Sequence, residues 1–149
     1  MRVLVTGSRT WIDVARLYRA LTLLHDEGRV EVPVFPHQEY DDFPVEPWVL
    51  VSGHATDGVD AEAEEWAEAN GVQVEPHPAD WAHGGQSAGF TRNREMVDLG
   101  AVVCMAFAVA CVKRGCTRQP RPHGTHGTLH CSAYAHQQGM PVAMHRDGW

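Results

Sequence analysis

The sequence has no apolar run approaching the roughly 20 residues that would span a bilayer, which argues against a helical membrane anchor. It also lacks the apolar stretch of a secretory signal. Its start, Met1-Arg2-Val3-Leu4-Val5-Thr6-Gly7, reads instead as a strand meeting a glycine turn, and a cytoplasmic protein is expected. Cysteine is sparse. Cys104, Cys111, Cys116 and Cys131 all lie in the C-terminal third and none forms a Cys-x-x-Cys pair, so free thiols are expected rather than a disulfide framework. Basic residues are outnumbered, 12 Lys and Arg against 19 Asp and Glu, for a net charge of −7. That balance argues against broad nucleic-acid binding, which draws its affinity from neutralising phosphates. A small anionic ligand in one locally positive pocket stays compatible with it. No internal repeat is present.

What is there fits a packed domain. The 149 residues, 44% of them hydrophobic, suffice for one core and would be cramped for two, so residues 1–149 are expected to form a single domain. Five β-rich runs are predicted: Arg2–Thr6, Trp48–Ser52, Val72–Glu75, Ala101–Phe107 and Val142–Met144. The first two lack polar alternation, as strands covered on both faces do. Helical patterns separate the runs. Asp13–Asp26 carries Val14, Leu17, Tyr18, Leu21 and Leu24 as an apolar stripe, with Thr10 as candidate cap. Gly58–Asn70 places Val59, Ala63, Trp66 and Ala67 on one face and stops at Gly71. Further helices are predicted at Thr91–Leu99 and Thr128–Gln138, each ending at a glycine. Strands alternating with helices predict an α/β fold, a Rossmann-like three-layer sandwich around a mainly parallel five-stranded sheet. Such sheets bind ligands outside the carboxyl ends of their strands, where strand order reverses.

Two stretches interrupt this order. Residues 28–47 hold Glu39, Asp41, Asp42 and Glu46 among Pro33, Pro36, Pro44 and Pro47, and read as an acidic surface insert with room for a short hairpin. Residues 110–123 hold Lys113, Arg114, Arg118 and Arg121 with Pro120 and Pro122, a basic loop after the fourth predicted strand.

Four segments offer ligand chemistry. Gly7-Ser8-Arg9 follows the first strand and supplies a tight turn, a hydroxyl and a planar cation. Gly53-His54-Ala55-Thr56-Asp57-Gly58-Val59-Asp60 feeds a helix, whose exposed N–H groups suit an anion. Its Gly-x4-Gly spacing is that of a phosphate-binding loop, but Val59-Asp60 stand where such a loop needs Lys and Ser or Thr. Arg92 and Asn93 fall at the start of the third predicted helix, and Gly127-Thr128 at the start of the fourth. The ligand-binding candidates are therefore Gly7, Ser8, Arg9, Gly53, His54, Thr56, Asp57, Gly58, Asp60, Arg92, Asn93, Gly127 and Thr128. Among the tryptophans, Trp66 is expected in the core, while Trp11, beside the first turn, is the preferred candidate for stacking on a base.

Six segments in order resemble the SLOG superfamily, and within it the YspA/cpYpsA-related group: Val5-Thr6-Gly7-Ser8-Arg9; Val51-Ser52-Gly53 through Gly58-Val59-Asp60 to Trp66-Ala67; His77-Pro78-Ala79-Asp80-Trp81; Ala88-Gly89 with Arg92-Asn93 and Met96-Val97; Gly127-Thr128-Leu129-His130; and Gly139-Met140-Pro141-Val142. The resemblance implies a Rossmannoid fold that binds a nucleotide or nucleotide-derived ligand, in a sensor or processing factor of bacteria or phages. It also implies that a homo-oligomer is to be considered. No cofactor is expected. The related LOG enzymes carry a Pro-Gly-Gly-x-Gly-Thr-x-x-Glu motif whose Glu serves N-glycosidic cleavage. In the comparable stretch, His123 to Cys131, the Pro, the second Gly and the Glu are absent. An N-glycosidic hydrolase is the alternative reading, with Asp57 and Asp60 as its candidate acids.

Ten histidines raise a third possibility, a metal-stabilised interaction module. Cys116, His123, His126, His130 and Cys131 are the residues that would supply such a site. No compact zinc signature joins them, and no metal is predicted on sequence grounds.

Overall fold

Alternation along the strands decides the layering. In the computed structural model, which describes residues 1–36 and 43–149, strand β1 (Arg2–Gly7) sends Val3 and Val5 into one core cluster and Leu4 into another. Successive strand side chains point to opposite faces, so the two clusters lie on the two sides of one sheet. The first contains Leu17, Leu21 and Leu24 of α1 (Val14–Glu27) and Val59, Ala63 and Trp66 of α2 (Gly58–Ala69). The second contains Met96 and Val97 of α4 (Ala88–Asp98) and Cys131 and Ala135 of α5 (His126–Gln137). Helices thus cover both faces in a Rossmann-like three-layer sandwich.

The sheet has six strands rather than the five expected, in the order β2-β6-β5-β1-β3-β4. β3 (Val49–Ser52), β4 (Gln73–Pro76), β5 (Val103–Val109) and β6 (Val142–Asp147) join β1 in parallel pairs. The added strand, β2 (Val34–Phe35), is two residues long and pairs antiparallel with β6 at the sheet edge. It comes from the predicted surface insert. The described part of this segment lends the sheet an edge, while residues 37–42, with Glu39, Asp41 and Asp42, lie outside the described residues.

Strand order reverses at β1. The chain steps outward through β3 and β4, then crosses back to β5 on β1's other side. The carboxyl ends of β1, β3 and β5 therefore border the crevice where parallel α/β sheets hold ligands.

Helix boundaries follow local capping. Asp13, not Thr10, caps α1, its carboxylate accepting from the Arg16 N–H at 3.1 Å, and Gly28 ends the helix at φ 65°. A single turn, α3 (Trp81–Gly84), was not predicted; Asp80 caps it. It runs through a 3₁₀ turn into α4, which begins three residues earlier than its periodicity suggested. Among the described residues no helix is long and apolar enough to cross a membrane.

Candidate functional site

At the switch point the structure has a cavity of about 640 Å³, lined from β1, β3, α2, α4 and α5 and their turns. Gly7, Ser8, Arg9, Gly53, Asp60, Arg92, Asn93, Gly127 and Thr128 all reach it. The volume lies in the range that encloses a small organic ligand, about 300–1,000 Å³.

The first turn is held from three sides. Ser8 donates its amide N–H to the Phe107 carbonyl at 2.9 Å, and its carbonyl accepts from the Val59 N–H at 3.3 Å. Its Oγ accepts from the Val109 N–H at 3.0 Å and shares a hydrogen bond with Thr125 Oγ1. Ser8 is thus a structural pin in the cavity wall. A Cβ at Gly7 would stand 2.3 Å from Val59 Cγ2 and 2.7 Å from the Phe107 carbonyl oxygen, so only glycine lets β1, α2 and β5 meet this closely. Arg9 comes next, exposed on the lip and without a hydrogen bond or ion pair to any described residue.

Arg92 and Asn93 tie the opposite wall together. The Arg92 guanidinium donates to the Gly53 carbonyl, to the His77 carbonyl at 3.3 Å and, through Nε, to Asn93 Oδ1 at 3.0 Å. Asn93 is buried and donates onward to the Gly127 carbonyl at 3.3 Å. The two residues therefore connect the ends of β3 and β4 to the start of α5. A Cβ at Gly53 would lie 2.5 Å from Arg92 Nη1 and 3.0 Å from Asp60 Oδ2.

At α5, the capping residue is Thr125, but its side chain makes no capping bond. Its hydroxyl is turned to Ser8 and to Thr128 Oγ1. The N–H groups of His126, Gly127 and Thr128 consequently have no acceptor among the described residues, while Gly127 and Thr128 border the cavity. Free amides at the positive end of a helix dipole favour an anion. At α2 the comparable end is partly used up, since Val59 donates to the Ser8 carbonyl, and the Asp60 carboxylate already accepts from the Ala55 N–H of the preceding loop at 3.1 Å.

Asp60 is the one carboxylate lining the cavity among the described residues, and it is 7% exposed. Burial pushes its carboxyl up to about 6. The Ala55 N–H and the Arg92 guanidinium pull the other way, while nearby Glu64 adds to the rise.

Trp81 and Phe90 are the exposed aromatic rings of this wall, Trp81 at 51% exposure, and Phe90 stacks on His130 at 4.2 Å. Trp11, preferred on sequence grounds, is 3% exposed and packs edge-on against Phe107, its Nε1 donating to the Asp13 carbonyl at 2.8 Å. Adjacency to the turn misled, because the ring folds behind it into the core. Trp81 carries no such signal in the sequence, since a lone tryptophan in a loop gives no sign of which way it faces.

Four predicted ligand residues fall elsewhere. His54, at φ 58°, turns its ring to the Glu64 carboxylate at 2.9 Å, and it lines a separate hollow with Thr56. Asp57 occupies the cap position of α2 without a capping bond. Gly58, at φ 70°, serves packing: a Cβ there would lie 2.3 Å from the Ser8 carbonyl oxygen.

The metal candidates also divide. Cys116, His123 and His126 gather with Cys111, which the sequence reading left out. His130 lies between Phe90 and Asn93, and Cys131 is fully buried in the core beside Cys104.

A six-stranded, mainly parallel sheet with glycine turns converging at its switch point defines the class as a Rossmann-like α/β protein. A profile of the YspA, cpYpsA-related SLOG family matches residues 38–84. The Gene 61 protein of Mycobacterium phage D29 is 34% identical over 147 residues, which cover 95% of this chain and 93% of that protein. The chain belongs to the YspA, cpYpsA-related SLOG family and has a phage relative. No solved structure matches it.

Proposed function

We propose that the chain, acting as one domain over residues 1–149, binds a nucleotide or nucleotide-derived ligand in the cavity at the switch point. The observation that carries this reading is the pairing, on one cavity, of unpaired α5 amides at Gly127 and Thr128 with an Arg9 guanidinium that makes no hydrogen bond or ion pair among the described residues. Amides at a helix start and a planar cation are the partners that a phosphate takes. Trp81 and Phe90 on the same lip offer faces for a base. In a chain of net charge −7, Arg9 and Arg92 against a single carboxylate make this cavity locally positive. Melting curves with mono-, di- and cyclic nucleotides, NAD and ADP-ribose test it. At least one should raise the melting temperature, and Arg9→Ala should shrink the gain. A flat response across the panel contradicts the reading.

A second reading follows from Asp60. A buried carboxyl that titrates near neutrality inside a ligand cavity is suited to general acid–base work, including N-glycosidic cleavage of the bound nucleotide. Chromatography of nucleoside monophosphates and NAD after incubation would detect free base, lost in Asp60→Asn. No free base from the intact protein contradicts this reading and leaves binding in place.

A further inference from the structure

The basic loop between β5 and α5 has almost nothing apolar to hold it. From residue 112 to residue 122 every side chain but Cys116 is exposed, Val112 at 89%. Yet the loop is well shaped. Cys111 donates its N–H to the His123 carbonyl at 2.8 Å, Gln119 Nε2 donates to the Cys111 carbonyl at 2.8 Å, and Ala110 bridges Gly124. The residues turned inward are Cys111, Cys116, His123 and His126, and their ligand atoms all lie within 4.8 Å of one another.

We propose that these four side chains form a structural zinc site, Cys111-x4-Cys116-x6-His123-x2-His126. Sulfur and imidazole nitrogen are the ligands zinc prefers, and four protein ligands close the coordination sphere as in structural rather than catalytic sites. The spacing fits a tetrahedron. Zinc bonds of about 2.3 Å to sulfur and about 2.0–2.1 Å to nitrogen imply ligand–ligand edges of about 3.3–3.8 Å. Four of the six edges lie in or just under that range: 3.4 Å for Cys111 Sγ to His126 Nε2, 3.4 Å for Cys116 Sγ to His123 Nε2, 3.2 Å for Cys116 Sγ to His126 Nε2, and 3.2 Å between the two Nε2 atoms. The two remaining edges, both from Cys111 Sγ, are within 4.8 Å.

The surroundings prepare one ligand. His123 Nδ1 lies 2.7 Å from the Arg121 carbonyl, which can only accept, so Nδ1 carries the proton and Nε2 keeps its lone pair for the metal. Zinc binding displaces one proton from each thiol, and two thiolates with two neutral imidazoles balance the divalent charge. The metal would also fasten the first turn of α5, because His126 is the residue before Gly127. The loop and the cavity wall would then share one anchor. Sequence spacing hid the set, since Cys111 belongs to the strand end and the loop separates it from its partners.

The test uses untagged full-length protein, dialysed and analysed for metals. About one zinc per chain is expected, with Cys116→Ser and His126→Ala each losing most of it. Cobalt in place of zinc should give intense tetrahedral visible bands and a thiolate charge-transfer band, which disappear in Cys111→Ser and Cys116→Ser. Circular dichroism checks that each variant remains folded, and a strong chelator should lower the melting temperature of the parent protein by about 5–10 °C. Protein that neither retains zinc nor takes up cobalt overturns the proposal. So does a cobalt spectrum unchanged by the cysteine variants, or a Cys111–Cys116 disulfide in protein prepared under reducing conditions. No nucleotide enters these measurements, so they are independent of the ligand reading.

Discussion

Ser8 Oγ and Thr125 Oγ1, 117 positions apart in sequence, share a hydrogen bond across the floor of the cavity. The bond joins the turn after β1 to the cap of α5, and it explains why the cap leaves its own helix uncapped. Ser8→Ala should remove that bond and strand the Val109 N–H, which Ser8 Oγ accepts. An orphaned buried amide costs about 1–3 kcal/mol, so chemical denaturation should show a loss of that size. The released Thr125 hydroxyl could then turn to the α5 amides, and binding of an anionic ligand should weaken as well.

The glycines of the cavity should separate by what surrounds them. Gly7→Ala drives a methyl into Val59 and the Phe107 carbonyl, and should destabilise the protein by a few kcal/mol or prevent folding. Gly53→Ala meets the end of the Arg92 side chain and should cost binding more than stability. At Gly127 a Cβ enters open space, so Gly127→Ala should fold at least as well as the parent while obstructing the cavity. Melting temperatures and ligand titrations of the three variants together check this order.

Two buried groups pull on stability in opposite directions with pH. Burial lowers His145, stacked on Phe107, to about 4 from an ordinary 6.5, so its neutral form is favoured in the fold and stability falls as pH drops from about 6.5 towards 4. Asp60, raised from 3.8 to about 6, favours the folded state when protonated, so its contribution is present below about 4 and is lost as pH rises through 6. Each amounts to roughly 3 kcal/mol across nearly the same window, and they largely offset one another. Asp60→Asn should therefore unmask acid destabilisation between pH 6.5 and 4. His145→Gln should leave a protein that gains stability over that interval. Urea denaturation at stepped pH reads both slopes.

Trp81 should matter only for ligands that carry a base. Stacking contributes about 1–3 kcal/mol per base, so Trp81→Ala should weaken a nucleotide by about 5- to 150-fold and leave ribose 5-phosphate nearly unchanged. Equal losses for both ligands, measured by calorimetry, would mean that the ring shapes the wall without touching a base.

The sheet was legible because β1, β3 and β5 are apolar without alternation and glycines follow the longer helices; the two-residue β2 and one-turn α3 are too short to carry any period. Seven of the nine cavity residues were legible because they sit where strands give way to helices, and topology alone brings such junctions to one edge, whereas Arg92 and Asn93 reach the cavity from a turn inside α4. His54 and Thr56 occupy the same loop as Gly53, yet the left-handed backbone at His54 swings them to another surface. Sequence adjacency carries no information on that rotation. The free amides of α5 were equally hidden, since they depend on a threonine choosing a distant serine over its own helix.

Amide-detected nuclear magnetic resonance, with a nucleotide that raises the melting temperature added stepwise, reaches the central claim most directly. Shifts should concentrate at Arg9, Gly127 and Thr128 and be absent from Thr56 and Glu64, which face the neighbouring hollow. Shifts centred on that hollow, or spread with no focus at the start of α5, would contradict a phosphate seat at the switch point.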